Sequence, residues 1–127
     1  MTFVTFKMKY LSLEQLKTNL SSGKPIEQWL SHQKQSDYTI LKWLRTDKEK
    51  DSTFSVSYME CFDEGNEDFL DIYKFTPLDP DEPFIINSFN TINEALTFAI
   101  DNYKASKSRF VSAGMIQEEY KEYLITR

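Results

Sequence analysis

An α+β domain built on an antiparallel sheet is the fold class this sequence predicts, and three observations carry it. Phe54, Val56 and Tyr58 alternate with Ser55 and Ser57, the period of two that marks a half-buried strand. Ile92, Ala95, Leu96, Ala99, Ile100 and Tyr103 recur at helical spacing further on. The strand-like runs are joined by short, turn-rich stretches, which favours a meander of about five strands with N-terminal and C-terminal helices packed on one face. All 127 residues fit one compact domain, 1–127, and 40% apolar with 15% aromatic content supplies a core without disulfides or a metal.

The elements follow in order. Val4, Phe6, Met8 and Tyr10 alternate with Thr5, Lys7 and Lys9, which predicts an opening strand. Ser12 and Gln15 have the spacing of a capping box, Leu11 can staple to Leu16, and Gly23 suits the position after a short helix. Pro25 fits the first turn of a second helix, with Ile26, Trp29 and Leu30 on one stripe, fading near Ser36. The run from Tyr38 to Arg45 has leucines at helical spacing, but its β-branched and aromatic content and the charged turn after it select a strand.

Its hairpin partner puts Phe54, Val56, Tyr58 and Phe62 on one face and Ser55, Ser57 and Cys61 on the other, with Glu60 the polar exception on the first. Two more strands are expected, over residues 68–76 and 84–89, separated by a stretch with Pro77, Pro80 and Pro83 that blocks continuous pairing. Thr91 and Glu94 box the start of the helix over 92–103. Phe110 and Val111 predict a short strand, and Ile116, Tyr120, Tyr123 and Leu124 a last helix beginning near Ser112 or Gly114.

The chemistry-bearing residues argue mostly by exclusion. Cys61 is alone, which fits a reducing, cytoplasmic setting, and no leader or membrane span is read from the chain. The one Cys–His combination, Cys61 with His32, sets a strand cysteine against a histidine on the polar end of the expected second helix, so nucleophilic catalysis is not expected. Three glycines, at 23, 65 and 114, make no phosphate-cradling loop. Carboxylate pairs such as Asp63 with Asp68 lack the burial that would raise one of them. Asp63, Asn66, Glu67 and Asp68 offer hard oxygen ligands but not the twelve-residue calcium-loop pattern. No catalytic residue, metal site or cofactor is therefore expected. Lys7, Lys9, Lys48, Lys50, Lys104, Lys107 and Arg109 are too scattered to predict nucleic-acid binding.

One feature of the charge is strongly patterned. From Glu60 to Phe84, nine carboxylates stand against Lys74, a net charge of −8, so the rest of a chain whose total is −5 carries +3. Such polarity steers a basic partner to one side, and exposed rings can anchor it there. The resulting expectation is a non-enzymatic protein that binds a basic protein through Asp63, Glu64, Glu67, Asp68, Asp79, Asp81 and Glu82, aided by Tyr73. Inhibitors of the immunity type, which neutralise a basic toxin or nuclease, work this way. The rival expectation is a small-molecule or calcium-binding regulatory domain, and the dullest reading of the run is ordinary solvated loops. Oligomeric state is left open, since an exposed edge strand also admits a dimer.

Overall fold

The computed structural model describes residues 9–127. Helix α1, Leu13–Ser21, begins where Ser12 Oγ accepts the Gln15 amide and Gln15 Oε1 accepts the Ser12 amide, the reciprocal box the sequence predicts. It ends where Gly23, at a left-handed φ of +83°, lets the Gly23 and Lys24 amides turn back to the Leu20 and Asn19 carbonyls. Strands β1 (Ile26–Lys34), β2 (Thr39–Lys48) and β3 (Phe54–Phe62) follow, then a 3₁₀ turn at Ile72–Lys74 and strand β4 (Ile85–Phe89). Helix α2 (Ile92–Tyr103), a two-residue strand β5 (Val111–Ser112) and helix α3 (Ile116–Thr126) complete the chain. All strand pairs are antiparallel and the order across the sheet is β4-β3-β2-β1-β5.

The α+β class and the five-stranded antiparallel sheet expected from the sequence are present, but the helices do not share one face. On β2 and β3, alternation sends Leu44, Phe54 and Val56 to one side, where they pack with Leu16 and Leu20 of α1 and with Ala95, Leu96 and Ala99 of α2. Leu41, Trp43 and Cys61 go to the other side and meet Ile72 and Phe75 from the loop together with Ile116, Tyr120 and Tyr123 of α3. Two cores thus sandwich one sheet. Strand β2 is central and apolar on both faces, which removes the amphipathic alternation that would place all helices on one side.

Two elements differ from the sequence reading in type. The expected helix after Pro25 is β1, and a bulge between Trp29 and Ser31 explains the confusion. The extra residue resets the alternation, so Trp29 and His32 come to the same face and both stack near Tyr123. Ile26 and Leu30 meet the opposite core, leaving apolar spacings of three and four that mimic a helix. The strand expected over 68–76 is instead a loop around the 3₁₀ turn, since Ile72 and Phe75 both plug the second core. The expected opening strand at Val4, Phe6 and Met8 lies outside the described residues, although Tyr10 forms a bridge to Val111. No described helix is long and apolar enough to cross a membrane.

Candidate functional site

The acidic run does not form one surface. Asp63 follows the end of β3 and turns inward: its side chain is 4% exposed. Its carboxylate accepts from Tyr120 Oη at 2.5 Å, Tyr123 Oη at 3.1 Å and Arg127 Nη1 at 3.0 Å. Glu64 is also engaged, accepting from the Thr76 amide and hydroxyl. Tyr73 donates to Glu27 and rests edge-on against Trp43, so its hydroxyl faces the protein. Glu67 and Asp68 remain exposed beside a cleft of about 600 Å³ that Leu70, Lys121, Leu124, Ile125 and Arg127 also line. Asp79, Asp81 and Glu82 form a separate exposed group, and none of them has an ion-pair partner among the described residues.

That second group borders a small slot. The Leu78 amide bonds to the Glu60 carbonyl at 3.0 Å, which clamps the 77–83 loop against the end of β3. The Asp81 amide donates to Asp79 Oδ1 at 2.9 Å, an Asx turn that holds the loop tip. Between loop and sheet lies a slot of about 160 Å³ in which Glu60, Asp79 and Glu82 meet Tyr58, Leu78, Pro83, Phe84 and Ile85. Tyr58 is fixed as a wall: its ring stacks on Tyr103 of α2 with centroids 4.3 Å apart and planes 5° from parallel. Its hydroxyl donates to Glu60 at 2.7 Å, and Lys42 stands 4.0 Å from the same carboxylate. Phe84 is 48% exposed, and Ile85 and Ile86 beside it are 43% and 51% exposed. Carboxylates over an aromatic and aliphatic wall suit the head and stem of a Lys or Arg side chain.

The sequence reading named Asp79, Asp81 and Glu82 and singled out Glu60 as a polar exception. It missed Tyr58, Leu78 and Ile85 as parts of the same slot. Their only signal was the junction of a proline-rich acidic loop with an uncharged strand. The basic residues contribute elsewhere: Lys9 pairs with Glu119 at 3.1 Å and Glu122 at 2.7 Å, while Arg109 reaches Tyr10 Oη at 2.8 Å. Among the described residues no three His, Cys, Asp or Glu side chains come together in a way that would hold a metal. In particular, Asn66 Oδ1 accepts the Asp68 amide and Asp63 is committed to α3, so the hard ligands of that loop do not converge.

Burial and carboxylate partners together shape the titration of the tyrosines. Burial, then the hydrogen bond to a carboxylate, holds Tyr120 (beside Asp63), Tyr73 (beside Glu27) and Tyr58 (beside Glu60) well above the ordinary tyrosine range. Burial also pushes the Cys61 thiol up to about 12. Because the folded tyrosines hold their protons more tightly than the unfolded ones, their stabilisation is complete below the ordinary tyrosine value of 10.0 and is lost as pH rises through the folded values. Phenolate absorbance should therefore lag that of free tyrosine and then rise together with loss of the far-UV signal in one alkaline transition. All seven tyrosines ionising reversibly near pH 10 with native circular dichroism would contradict this.

Comparison with protein-family models, with curated proteins and with solved structures finds no match for this chain.

Proposed function

We propose that this chain is a non-enzymatic protein-binding protein that recognises a basic protein through Asp79, Asp81 and Glu82, with Phe84, Ile85 and Ile86 as its apolar contact. The observation that carries the reading is the slot where three carboxylates meet Tyr58, Phe84 and Ile85. Asp79, Asp81 and Glu82, exposed and without an ion-pair partner among the described residues, speed encounter with a positive partner, and the half-exposed rings and aliphatics beside them supply the desolvated contact that holds it. Neutralisation of a basic toxin or nuclease in the cytoplasm fits this chemistry, and the lone buried Cys61 is consistent with a reducing compartment.

Capture from native lysate at low and high salt tests it, beside the variant D79N/D81N/E82Q. A basic protein should be retained by the parent, released by salt, and bound at least tenfold more weakly by the variant. Equal retention by both at low salt would sink the proposal.

The alternative of a small-molecule-binding regulatory domain is supported by the larger cleft over Leu70, Leu124 and Ile125. Its lining carries both signs of charge, Glu67 and Asp68 with Lys121 and Arg127, which makes it a weaker claim on the acidic character of the chain. A ligand selective for that cleft would raise the melting midpoint, and E67Q/D68N would lower its effect without touching capture of a basic protein.

A further inference from the structure

We infer that the partner binds by adding an extended strand to the open edge of β4 and placing a basic side chain in the Glu60–Asp79–Glu82 slot; this rests on the basic-partner reading above. Strand β4 pairs with β3 along one side only, from Phe54↔Phe89 to Tyr58↔Ile85. It is the last strand of the sheet, so its other side presents backbone groups with no partner strand among the described residues. Exposed edges are ordinarily blunted by lysines, internal prolines or bulges. Ile85, Ile86, Asn87, Ser88 and Phe89 contain none of these devices, and the pairing with β3 runs without a register shift. Ile85 and Ile86 point to opposite faces, so the edge is apolar above and below the plane in which an added strand would lie.

Charge decides the occupant. The acidic loop with Asp79, Asp81 and Glu82 leads into the start of β4, and the slot lies against Ile85. A second copy pairing antiparallel through a two-fold axis would bring its own β4 end, followed by Asn90, Asn93 and Glu94, to that loop. That end has no basic residue, and a parallel pairing would set acid against acid. A foreign segment with Arg or Lys satisfies both features, and an antiparallel approach, the more stable ladder, puts its cation at the C-terminal end of the added strand.

The probe is a synthetic peptide of alternating valine and threonine ending in two arginines, titrated into the full chain by fluorescence anisotropy. Three comparisons accompany it: the same peptide N-methylated at alternate residues, a peptide ending in two glutamates, and the protein variants Ile86→Lys and D79N/E82Q. Circular dichroism of each variant confirms the native fold first. The expected result is binding weakened about tenfold or more by N-methylation, by Ile86→Lys and by D79N/E82Q, and none by the glutamate peptide. If N-methylation and Ile86→Lys change nothing while D79N/E82Q still weakens binding, strand addition is overturned and the acidic-surface reading survives. If N-methylation weakens binding while D79N/E82Q does not, the acidic slot is overturned along with the inference. No binding of the arginine peptide at millimolar concentration overturns the inference directly. Sedimentation of the chain alone as a dimer that Ile86→Lys dissociates would overturn it in favour of a second copy.

Discussion

Replacing Glu27 with alanine is expected to cost about 2–4 kcal/mol, because a buried carboxylate that accepts from a cation, a hydroxyl and two amides is lost at once. That is a large fraction of the roughly 5–15 kcal/mol that holds an ordinary domain folded. Glu27 is 0% exposed and ties four parts of the fold together. Directly across the β1–β2 ladder, Arg45 reaches its Oε2 at 3.1 Å, and Tyr73 from the 3₁₀ turn donates to the same oxygen. Its Oε1 accepts from the Gly114 amide at 2.8 Å and the Ile116 amide at 3.4 Å. Helix α3 has no side-chain cap of its own at Met115, so this distant carboxylate satisfies the amides at its start and puts negative charge at the positive end of its dipole. Alanine leaves Arg45 with Asp47 alone, removes the acceptor for the Tyr73 proton and for the Ile116 amide, and leaves the Gly114 amide only the Tyr73 hydroxyl. Glu27→Gln keeps the shape and one acceptor and should lose about 1–3 kcal/mol. Urea unfolding at neutral pH, with unchanged m-values, measures both. An alanine variant within about 0.5 kcal/mol of the parent, the size of an ordinary surface change, would refute the role assigned to this carboxylate.

Glu27 also marks where the sequence stops being legible. Its partners Gly114 and Ile116 lie 87 and 89 residues away, and a glutamate beside Ile26 reads locally as the polar face of a helix. Helix α2 could be read because its information is local: a Thr91 cap on Glu94 and a stripe repeating every three or four residues. The pairing of β2 with β3 was equally readable, since a short charged turn joins two runs whose register needs no bulge. Where a bulge intervenes, as at Trp29, the period of two is broken by tertiary structure and a helix is the natural misreading. The acidic run was visible as charge, but burial separates its members into different roles. Asp63 faces inward because three donors of α3 and its end converge on it, whereas Asp79, Asp81 and Glu82 face outward on a loop that touches β3 through Pro77 and Leu78 and is exposed beyond them.

Asp63→Ala should therefore act on stability and leave recognition alone, losing about 1–3 kcal/mol by removing the acceptor of two tyrosine hydroxyls, while the half-exposed Arg127 guanidinium returns to water. The surroundings leave little means of repair. Gly65, two residues on, has no room for a side chain: a Cβ there would collide with the Tyr120 hydroxyl, the Phe69 carbonyl and the Phe75 ring. The segment cannot slide to bring Glu64 into the vacated place, because Glu64 is held by Thr76 and the Gly65 carbonyl accepts from Arg127 at 3.3 Å. Asp63→Asn retains an acceptor for one tyrosine and should fall between parent and alanine. Tyr120→Phe in the Asp63→Ala background should cost less than the same change in the parent, since the hydroxyl has then lost its acceptor. Capture of a basic partner by the folded Asp63→Asn protein should match the parent, in contrast to D79N/D81N/E82Q. The opposite pattern, native stability with lost capture, would return Asp63 to the binding surface and remove it from the core.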